Sequence, residues 1–465
     1  MRRFTRYGLT TGLACALTFG LVSCGGNSTD HSSPRIAFNS VVSFGDSLSD
    51  AGTYRVGLVA ASQGGLFTVN GNASAVGFEP VPSFTWAQLI SATFLGQVSC
   101  AARTGGFGVG ITTVAGCTNY AQGGARITDP IGTNHANGAL TEPVVAQVAH
   151  YLSSTPNGRF TGAELITVQG GANELFAQAD ILSAAAAAEG TRVGAATFST
   201  TLVGLLAAGA TNPATAAQAI GQAMATEAAR PGSSSDTVVA AGVGAAASQP
   251  GNAAVAAPGV YGPMVTAATS AAATAGAAAA AQYVQTTGAQ IALTGMVTAA
   301  AQLGASIQDM VNKGAQHVVV TNMPDVSLTP YALGTITVTN GVPDNATQQL
   351  ILAMTQAFNA QLQSAVAGVA GVLFVDVFTQ FQQEIATPSQ YGLSNVKDVA
   401  CDLRYGINAL ATTTQPGSSL VCNTGNLVAG DTSRYLFADS VHPTPYGHKL
   451  LAQVVIKDLV LAGWL

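Results

Sequence analysis

Four apolar runs rich in β-branched residues recur along the chain, and stretches with helical patterns separate them. The runs read IAFNSVVSFG, AELITVQGG, AQHVVVTNM and GVLFVDV. Strands of this kind, apolar on both sides, are typical of a parallel sheet that is covered on both faces. The pattern therefore predicts an α/β domain in which helices flank a parallel sheet.

Two helices are predicted near the carboxyl terminus. In TQQLILAMTQAFNAQLQSAVAG the apolar residues recur at helical spacing on one face. The last helix can be capped by Thr444, with Pro445 in its first turn and an apolar stripe from Leu450 to Leu459. Both segments are expected to cover the sheet.

The middle of the chain, from about residue 184 to about residue 298, is dominated by Ala, Gly, Thr and Ser. Alanine favours helix, but Gly and Pro interrupt the pattern and large core side chains are scarce. Two interpretations stay open: Ala-rich helices packed on the sheet domain, or a partly disordered insertion. We expect short helices joined by mobile loops, and disorder between Ala229 and Pro258 would be compatible with the composition. The insertion either shapes a substrate cleft or has no catalytic role.

The amino terminus has the features of a targeting sequence. Arg2, Arg3 and Arg6 precede the apolar run LTTGLACALTFGLV, which is too short to span a bilayer and has the shape of a signal peptide. The tetrapeptide LVSC, Leu21–Cys24, resembles the lipobox of bacterial lipoproteins. That resemblance implies cleavage before Cys24 and lipidation of its thiol, whereas an ordinary signal peptide cut nearby is the alternative.

These features predict a layout of three parts. Residues 1–23 are the lipoprotein signal peptide, residues 24–37 a flexible tether, and residues 38–465 one domain that contains the Ala/Gly-rich insertion. The expected location is the bacterial cell envelope, lipid-anchored to a membrane through Cys24, with the outer membrane favoured, or secreted.

The chain has six cysteines, and their expected use indicates an oxidising compartment. Cys15 leaves with the signal peptide and Cys24 is the lipid site. The four that remain are Cys100, Cys117, Cys401 and Cys422. They allow three pairings. The sequence-local pairing closes two loops of about 20 residues, each adding about 3 kcal/mol of stability. Metal binding is the competing interpretation, but no CxxC or Cys/His cluster occurs, so we expect disulfides and no metal.

Composition limits the function classes. Of 465 residues, 48% are hydrophobic and 8% are charged, which favours a folded protein over disorder. The formal net charge is −6, and the isoelectric point near 5.4 indicates no basic surface of the kind that nucleic-acid binding requires. We therefore expect no nucleic-acid partner.

The segment VVSFGDSLSDAG ends the first predicted strand at Gly45, and Ser47 follows where a helix could begin. The carboxyl edge of a parallel sheet is where α/β proteins bind ligands. A serine at a helix start is usually an N-cap. It becomes a nucleophile only when a base takes its proton and donors stabilise the oxyanion.

A candidate base lies in LFADSVHPTPYGHKLL, just before the last helix. Asp439 and His442 are three residues apart, so the carboxylate can orient one imidazole nitrogen and leave the other for a serine. Taken alone, each residue could instead be an ordinary loop residue. His448 is a weaker candidate because it lies in the first helical turn without an aspartate at the same spacing.

Four blocks, FGDSLSDAG, NYAQGGARI, VQGGANEL and DSVHP, resemble in content and order the signature blocks of the GDSL, or SGNH, serine esterases and lipases. The resemblance implies a three-layer α/β/α sandwich with a flavodoxin-like parallel sheet, to which the Ala-rich, largely helical insertion is added. It also implies roles for five residues. The nucleophile is Ser47, the other triad members are Asp439 and His442, and the oxyanion donors beside the Ser47 amide are Gly124 and Asn173.

The implied function is a carboxylic ester hydrolase that works through an acyl-enzyme, with an ester or lipid substrate and no cofactor. The expected enzyme is an esterase or lipase, and a phospholipase or a lysophospholipase is a narrower option within that class. The alternatives are an acyltransferase of the same fold, a carbohydrate deacetylase, or a non-catalytic envelope lipoprotein that binds lipid. Two details stay open: the motif alignment that selects Gly124 could be displaced to Gly123, and Glu174 stands where the family usually has Asp after Asn173.

Overall fold

The computed structural model of the protein describes residues 36–71, 83–334 and 345–465. The predicted signal peptide, Cys24 and most of the predicted tether lie outside the described residues. The strands of the described chain are β1 (Ser40–Phe44), β2 (Arg103–Gly106), β3 (Val109–Thr113), β4 (Glu164–Val168), β5 (Val318–Thr321), β6 (Val372–Val375), β7 (Asn395–Val399) and β8 (Tyr435–Phe437).

The α-helices of the same residues are α1 (Gly57–Ala61), α2 (Trp86–Leu95), α3 (Val144–Ser154), α4 (Ala172–Ala207), α5 (Pro213–Ala228), α6 (Ser235–Ala247), α7 (Pro258–Tyr283), α8 (Ala289–Asn312), α9 (Pro330–Leu333), α10 (Asn345–Val366), α11 (Val377–Ala386) and α12 (Pro445–Leu461). Both predicted C-terminal helices are present, as α10 and α12. The Thr444 hydroxyl caps α12 by accepting the amide of Gly447 at 3.2 Å.

The main sheet is parallel and has the order β1-β4-β5-β6, which contains all four strands predicted from the apolar runs. Beyond β1, Ser43 pairs in parallel with Asn119, and its amide donates to the Thr118 carbonyl at 3.1 Å. Residues 118–120 thus occupy the position of a further edge strand. The resulting order is flavodoxin-like, with the sheet continuing on both sides of β1.

Successive residues of each strand supply the two faces of the sheet. Val42 and Ile166 pack with Phe358 of α10 and Leu303 of α8 on one face. On the other face the neighbouring residues pack against α2 and α12, in a cluster that includes Val41, Leu165, Val319, Trp86 and Val455. Because both faces are covered by helices, the domain is a three-layer α/β/α sandwich.

The Ala-rich insertion consists of long helices. α4 has 36 residues and runs antiparallel to α7, which has 26. A Cβ atom on Gly190 of α4 would lie 2.8 Å from the carbonyl oxygen of Gly276 of α7, so glycine lets the two backbones approach closely. At the far end a separate cluster joins α4 to α5, α6 and α7 through buried residues such as Leu206, Ile220 and Val243.

The expectation of short helices is wrong for α4, α7 and α8, and the alternative of disorder between Ala229 and Pro258 is also wrong. α6 forms within that stretch, and the side chain of Asn252 donates to the carbonyls of Leu206 and Ala246 at 2.8 and 3.0 Å. The physical reason is close packing: small residues bring helix backbones together and gain contact without large side chains. Scarcity of large residues therefore does not prevent order here.

Residues 258–312, which comprise α7, a π-helical turn and α8, are long and apolar enough to cross a membrane by length and composition alone. However, Met296, Leu303 and Ile307 of α8 belong to the core on one face of the sheet. The carboxyl-terminal half of the segment therefore serves as a core helix of the α/β domain.

A buried carboxyl group on α11 makes stability depend on pH. The Glu384 side chain is 5% exposed and accepts one hydrogen bond from Gln380 at 3.1 Å, and burial raises its pKa to about 7. Between the unfolded and folded pKa values the native state binds more protons, so this group's contribution to stability decreases as pH rises through 7. We expect Glu384→Gln to increase the free energy of unfolding at pH 8 by about 1–3 kcal/mol.

Urea unfolding at pH 5 and pH 8 measures this difference. At pH 5 the difference between the wild type and Glu384→Gln should be much smaller than at pH 8, because pH 5 lies only slightly above the pKa of Glu384 in the unfolded chain. Glu227→Gln on α5 is the control, since Glu227 is paired with Arg230 and its pKa lies below the usual value, so its charge does not change between pH 5 and pH 8. A gain in Glu384→Gln that does not change with pH would contradict the prediction.

Candidate active site

The site begins at the carboxyl end of β1, where Gly45 turns the chain. Gly45 has a φ of +153°, and a Cβ atom there would lie 2.5 Å from the carbonyl oxygen of Gln169. The amide side chain of Gln147 on α3 accepts from the Gly45 amide and donates to the Gly45 carbonyl, both at 2.8 Å. The residue before the Asp46–Ser47 pair is therefore fixed in place, and only glycine fits it.

The residues after Ser47 form turns, so the predicted helix start at this serine is wrong. Asp46 accepts the amide two residues further on at 3.1 Å, and Asp50 accepts the amides two and three residues further on at 2.8 Å. Carboxylates that bind nearby amides compete with helical hydrogen bonding. As a result, α1 begins only at Gly57.

The structure brings Ser47, His442 and Asp439 together. The Ser47 hydroxyl oxygen lies 2.8 Å from Nε2 of His442, and Nδ1 of His442 lies 2.8 Å from both carboxylate oxygens of Asp439. The ring of Phe67 packs against the imidazole with 4.9 Å between centroids. This arrangement can move a proton from the serine to the histidine while the aspartate orients the ring.

Asp439 is buried and fully engaged. It is 4% exposed and accepts the amides of Ser419 and His442, each at 2.9 Å. Burial alone would raise the pKa of Asp439, but the charge of His442 and the hydrogen bonds from His442 and Ser419 hold it well below its usual value. Asp439 therefore stays ionised beside the imidazole at neutral pH.

Gly124 rather than Gly123 has a backbone amide available as an oxyanion donor. The Gly123 amide donates to Asp50 at 2.9 Å. Among the described residues, neither Gly124 nor Ser47 has a partner for its amide. Asn173, at the start of α4, donates one amide hydrogen to Ala125 at 3.0 Å, which leaves its second hydrogen for another acceptor.

The second histidine of the C-terminal segment, His448, is fully buried. Its Nδ1 accepts the amide of Trp86 at 3.3 Å, and burial lowers its pKa to about 3. His448 is therefore neutral, and its hydrogen-bond partner is the Trp86 amide, whereas Ser47 is bonded to His442. Asp46 is also buried, and burial raises its pKa to about 6 although Gln169 donates to it at 3.3 Å.

Two disulfides join Cys100 to Cys117 and Cys401 to Cys422, which is the sequence-local pairing. The second lies beside the triad: the Cys401 amide donates to the Ala438 carbonyl at 3.0 Å, and Ser419 lies on the same loop as Cys422. This crosslink therefore restrains the segment that supplies the Ser419 amide to Asp439.

Two other features bear on ligand binding. Within the described ranges, no group of three or more His, Cys, Asp or Glu side chains is arranged to hold a metal ion. A cavity of about 490 Å³ is lined by Cys401, Leu403, Tyr405 and Pro416, among others. No triad residue lines this cavity, so it does not identify the position of a substrate.

Several supporting residues were missed by the sequence interpretation. Gln147, Phe67 and Ser419 carry no local motif, and they reach the site only through the tertiary fold. Asp50 lies within the quoted FGDSLSDAG block and could have been recognised from it. Arg126 lies likewise in NYAQGGARI, where only the glycine was singled out.

Residues 280–455 match the family model of the GDSL-like lipases/acylhydrolases. This stretch of the chain is thus similar to the GDSL-like lipases/acylhydrolases. The matched residues include β5, β6, Asp439 and His442, whereas Ser47, Gly124 and Asn173 lie before them in the sequence.

Curated relatives share short stretches with the chain. A 109-residue stretch is 28% identical to the anther-specific proline-rich protein APG of Arabidopsis thaliana, covering 22% of this chain and 19% of that protein. An uncharacterized protein of the trpE-trpG intergenic region of Pseudomonas putida is 28% identical over 195 residues, 40% of this chain and 29% of the relative. A GDSL esterase/lipase of Arabidopsis thaliana is 25% identical over 109 residues, 22% of this chain and 25% of the relative. The matches thus span less than a third of each relative.

Proposed function

We propose that the protein is a serine hydrolase that cleaves carboxylic esters through an acyl-enzyme on Ser47. The observation that carries the proposal is the 2.8 Å distance between the Ser47 hydroxyl and Nε2 of His442, whose other nitrogen faces Asp439. The similarity to the GDSL-like lipases/acylhydrolases supports an ester-type hydrolase. The amides of Ser47 and Gly124 and the side chain of Asn173 are the proposed oxyanion donors.

The proposed reaction has two steps. In the first, His442 takes the proton of Ser47 as the serine oxygen attacks the ester carbonyl, and the protonated His442 then gives this proton to the departing alcohol. In the second, His442 removes a proton from water, which attacks the acyl-serine, and the proton returns to Ser47 as the carboxylic acid leaves. Asp439 remains ionised throughout and stabilises the imidazolium.

The expected substrates are esters or lipids. We further propose that the protein is anchored in a bacterial envelope through a lipid on Cys24, where fatty-acyl esters or phospholipids are accessible. This part of the proposal rests on the LVSC tetrapeptide alone. Intact mass of the protein purified from bacterial membranes, with and without Cys24→Ala, would reveal the lipid.

Labelling of the serine tests the proposed chemistry directly. We expect a fluorophosphonate probe to modify Ser47, as located by peptide mass spectrometry, and hydrolysis of p-nitrophenyl butyrate to be lost in proportion to labelling. The ratio of butyrate to palmitate hydrolysis then begins to define the acyl site. If the folded protein hydrolyses neither ester and the probe reacts elsewhere or not at all, the proposal is wrong.

A further inference from the structure

We infer that Glu174 is a positioning residue that, together with Arg126, holds two separate oxyanion donors in one arrangement. The inference rests on the proposed function, because Gly124 and Asn173 have that role only if an oxyanion forms at Ser47. It assigns a task to the residue that departs from the usual family sequence.

The two donors come from different parts of the chain. Gly124 lies in the loop that follows residues 118–120, has a φ of +82°, and accepts the amide of Thr133 at 3.1 Å. Asn173 is the second residue of α4. The hydrogen bond from the Asn173 side chain to Ala125 is a direct link between the two segments, and it is a neutral one.

Glu174 supplies a second and stronger link. One of its carboxylate oxygens accepts the amide of Ile127 at 2.8 Å. The other accepts from Arg126, with Nε at 2.8 Å and Nη2 at 2.6 Å. The Glu174 side chain is 4% exposed, so these are buried, charge-assisted bonds. These bonds join α4 to the Arg126 side chain and to the Ile127 backbone amide, which directly follow Gly124 and Ala125 in the sequence.

Asn173 and Glu174 are adjacent, and Gly124 and Arg126 are two residues apart, so the ionic link lies next to the proposed oxyanion site. Restraining both segments there fixes the distance between the Gly124 amide and the Asn173 side chain. A misplacement of about 1 Å between reacting or stabilising groups can cost on the order of a hundredfold in rate. Glu174 therefore acts on turnover through the donors that it aligns.

A conservative substitution tests this without removing bulk. In Glu174→Gln the volume is kept and Arg126 retains its ion pair with Asp129 at 2.5 Å, so the fold is preserved. The substitution replaces one of the two carboxylate oxygens by an NH2 group, which cannot accept, so either the Ile127 amide or the Arg126 guanidinium loses its acceptor. We expect kcat for p-nitrophenyl butyrate to fall about 10- to 100-fold with little change in KM. Glu174→Asp keeps the carboxylate and should retain most of the activity.

The matched control is Glu189→Gln. Glu189 lies on the same helix and forms a similar two-armed ion pair with Arg192, but both side chains are more exposed. Its substitution should leave kcat and KM unchanged. Equal losses in the Glu174 and Glu189 variants would mean a general effect on α4 and would overturn the inference.

A double-mutant cycle separates positioning from mere stability. Glu174→Gln should have a much smaller effect on kcat when Asn173→Ala has already removed one donor, because part of what Glu174 aligns is then gone. Fully additive losses in the two variants would show that Glu174 does not work through Asn173 and would overturn the inference.

Amide hydrogen exchange distinguishes failure of the inference from failure of the proposed function. Exchange at Ile127 should be faster in Glu174→Gln and unchanged in Glu189→Gln, whether or not the protein cleaves esters. An inert wild type with accelerated exchange would refute the ester hydrolase while supporting the link. Active wild type with unchanged kcat and unchanged exchange in Glu174→Gln would refute the link alone.

Discussion

Ser47→Ala is expected to lower kcat/KM for p-nitrophenyl butyrate by a factor of about 10⁴ or more. In the described part of the chain, the Ser47 hydroxyl is the one hydrogen-bond partner of His442 Nε2, at 2.8 Å. The variant removes this hydroxyl, so no acyl-enzyme can form at residue 47. The side chain of Ser47 is partly exposed and its removal leaves little cavity, so the folded structure and its thermal unfolding should be almost unchanged.

Two further variants make this test specific. Ser248→Ala is the control, because Ser248 lies in the insertion and its hydroxyl donates only to the carbonyl of Gly244. Residues of a triad act as a unit, so adding His442→Ala to Ser47→Ala should cause little additional loss. A Ser47→Ala protein that hydrolyses the ester at the wild-type rate would place the nucleophile elsewhere.

The second large effect concerns stability. Asp50 is fully buried and accepts three backbone amides, those of Gly52, Thr53 and Gly123, at 2.8–2.9 Å. Asp50→Ala leaves all three donors without this acceptor. We expect the free energy of unfolding to decrease by about 3–5 kcal/mol, because each unsatisfied buried donor costs about 1–3 kcal/mol and the losses partly relax.

Urea unfolding measures the loss as a shift in midpoint at constant slope. Asp431→Ala is the matched control, because Asp431 accepts a backbone amide, that of Ser433, in an exposed turn. Its substitution should change the unfolding free energy by less than about 0.5 kcal/mol. If Asp50→Ala changes the unfolding free energy as little as Asp431→Ala does, the Asp50 carboxylate does not stabilise the contact between the turns after Ser47 and the loop that contains Gly123.

The parts of the structure that could be predicted are those encoded locally. Buried parallel strands must be apolar on both sides, so the four runs identified the sheet, and Thr444 with Pro445 marked the start of α12. The insertion was harder, because glycine is read as a helix breaker in sequence while here Gly190 permits the contact with Gly276. Helix propensity is a local quantity, so it does not include the packing energy gained when two helices make this contact.

The candidate site follows the same division. Ser47, Asp439 and His442 could be selected because each lies in a motif, and the structure brings all three together. The helix expected at Ser47 was wrong because the acceptors that replace helical bonding are the side chains of Asp46 and Asp50. Ser419 could not have been found, since its contribution is a backbone amide, which any residue type other than proline provides.

The position of the insertion within the sheet has a consequence for how the chain folds. β4 ends at Val168 and its neighbour β5 begins at Val318, so pairing these strands requires the closure of a very long loop. Closure entropy slows such long-range pairing. The antiparallel helices α4 and α7, however, close a shorter loop, as the contact between Gly190 and Gly276 shows. Their early formation would return the chain towards the sheet and shorten the effective loop, so destabilising the far end of the insertion should slow refolding even though it lies far from the strands.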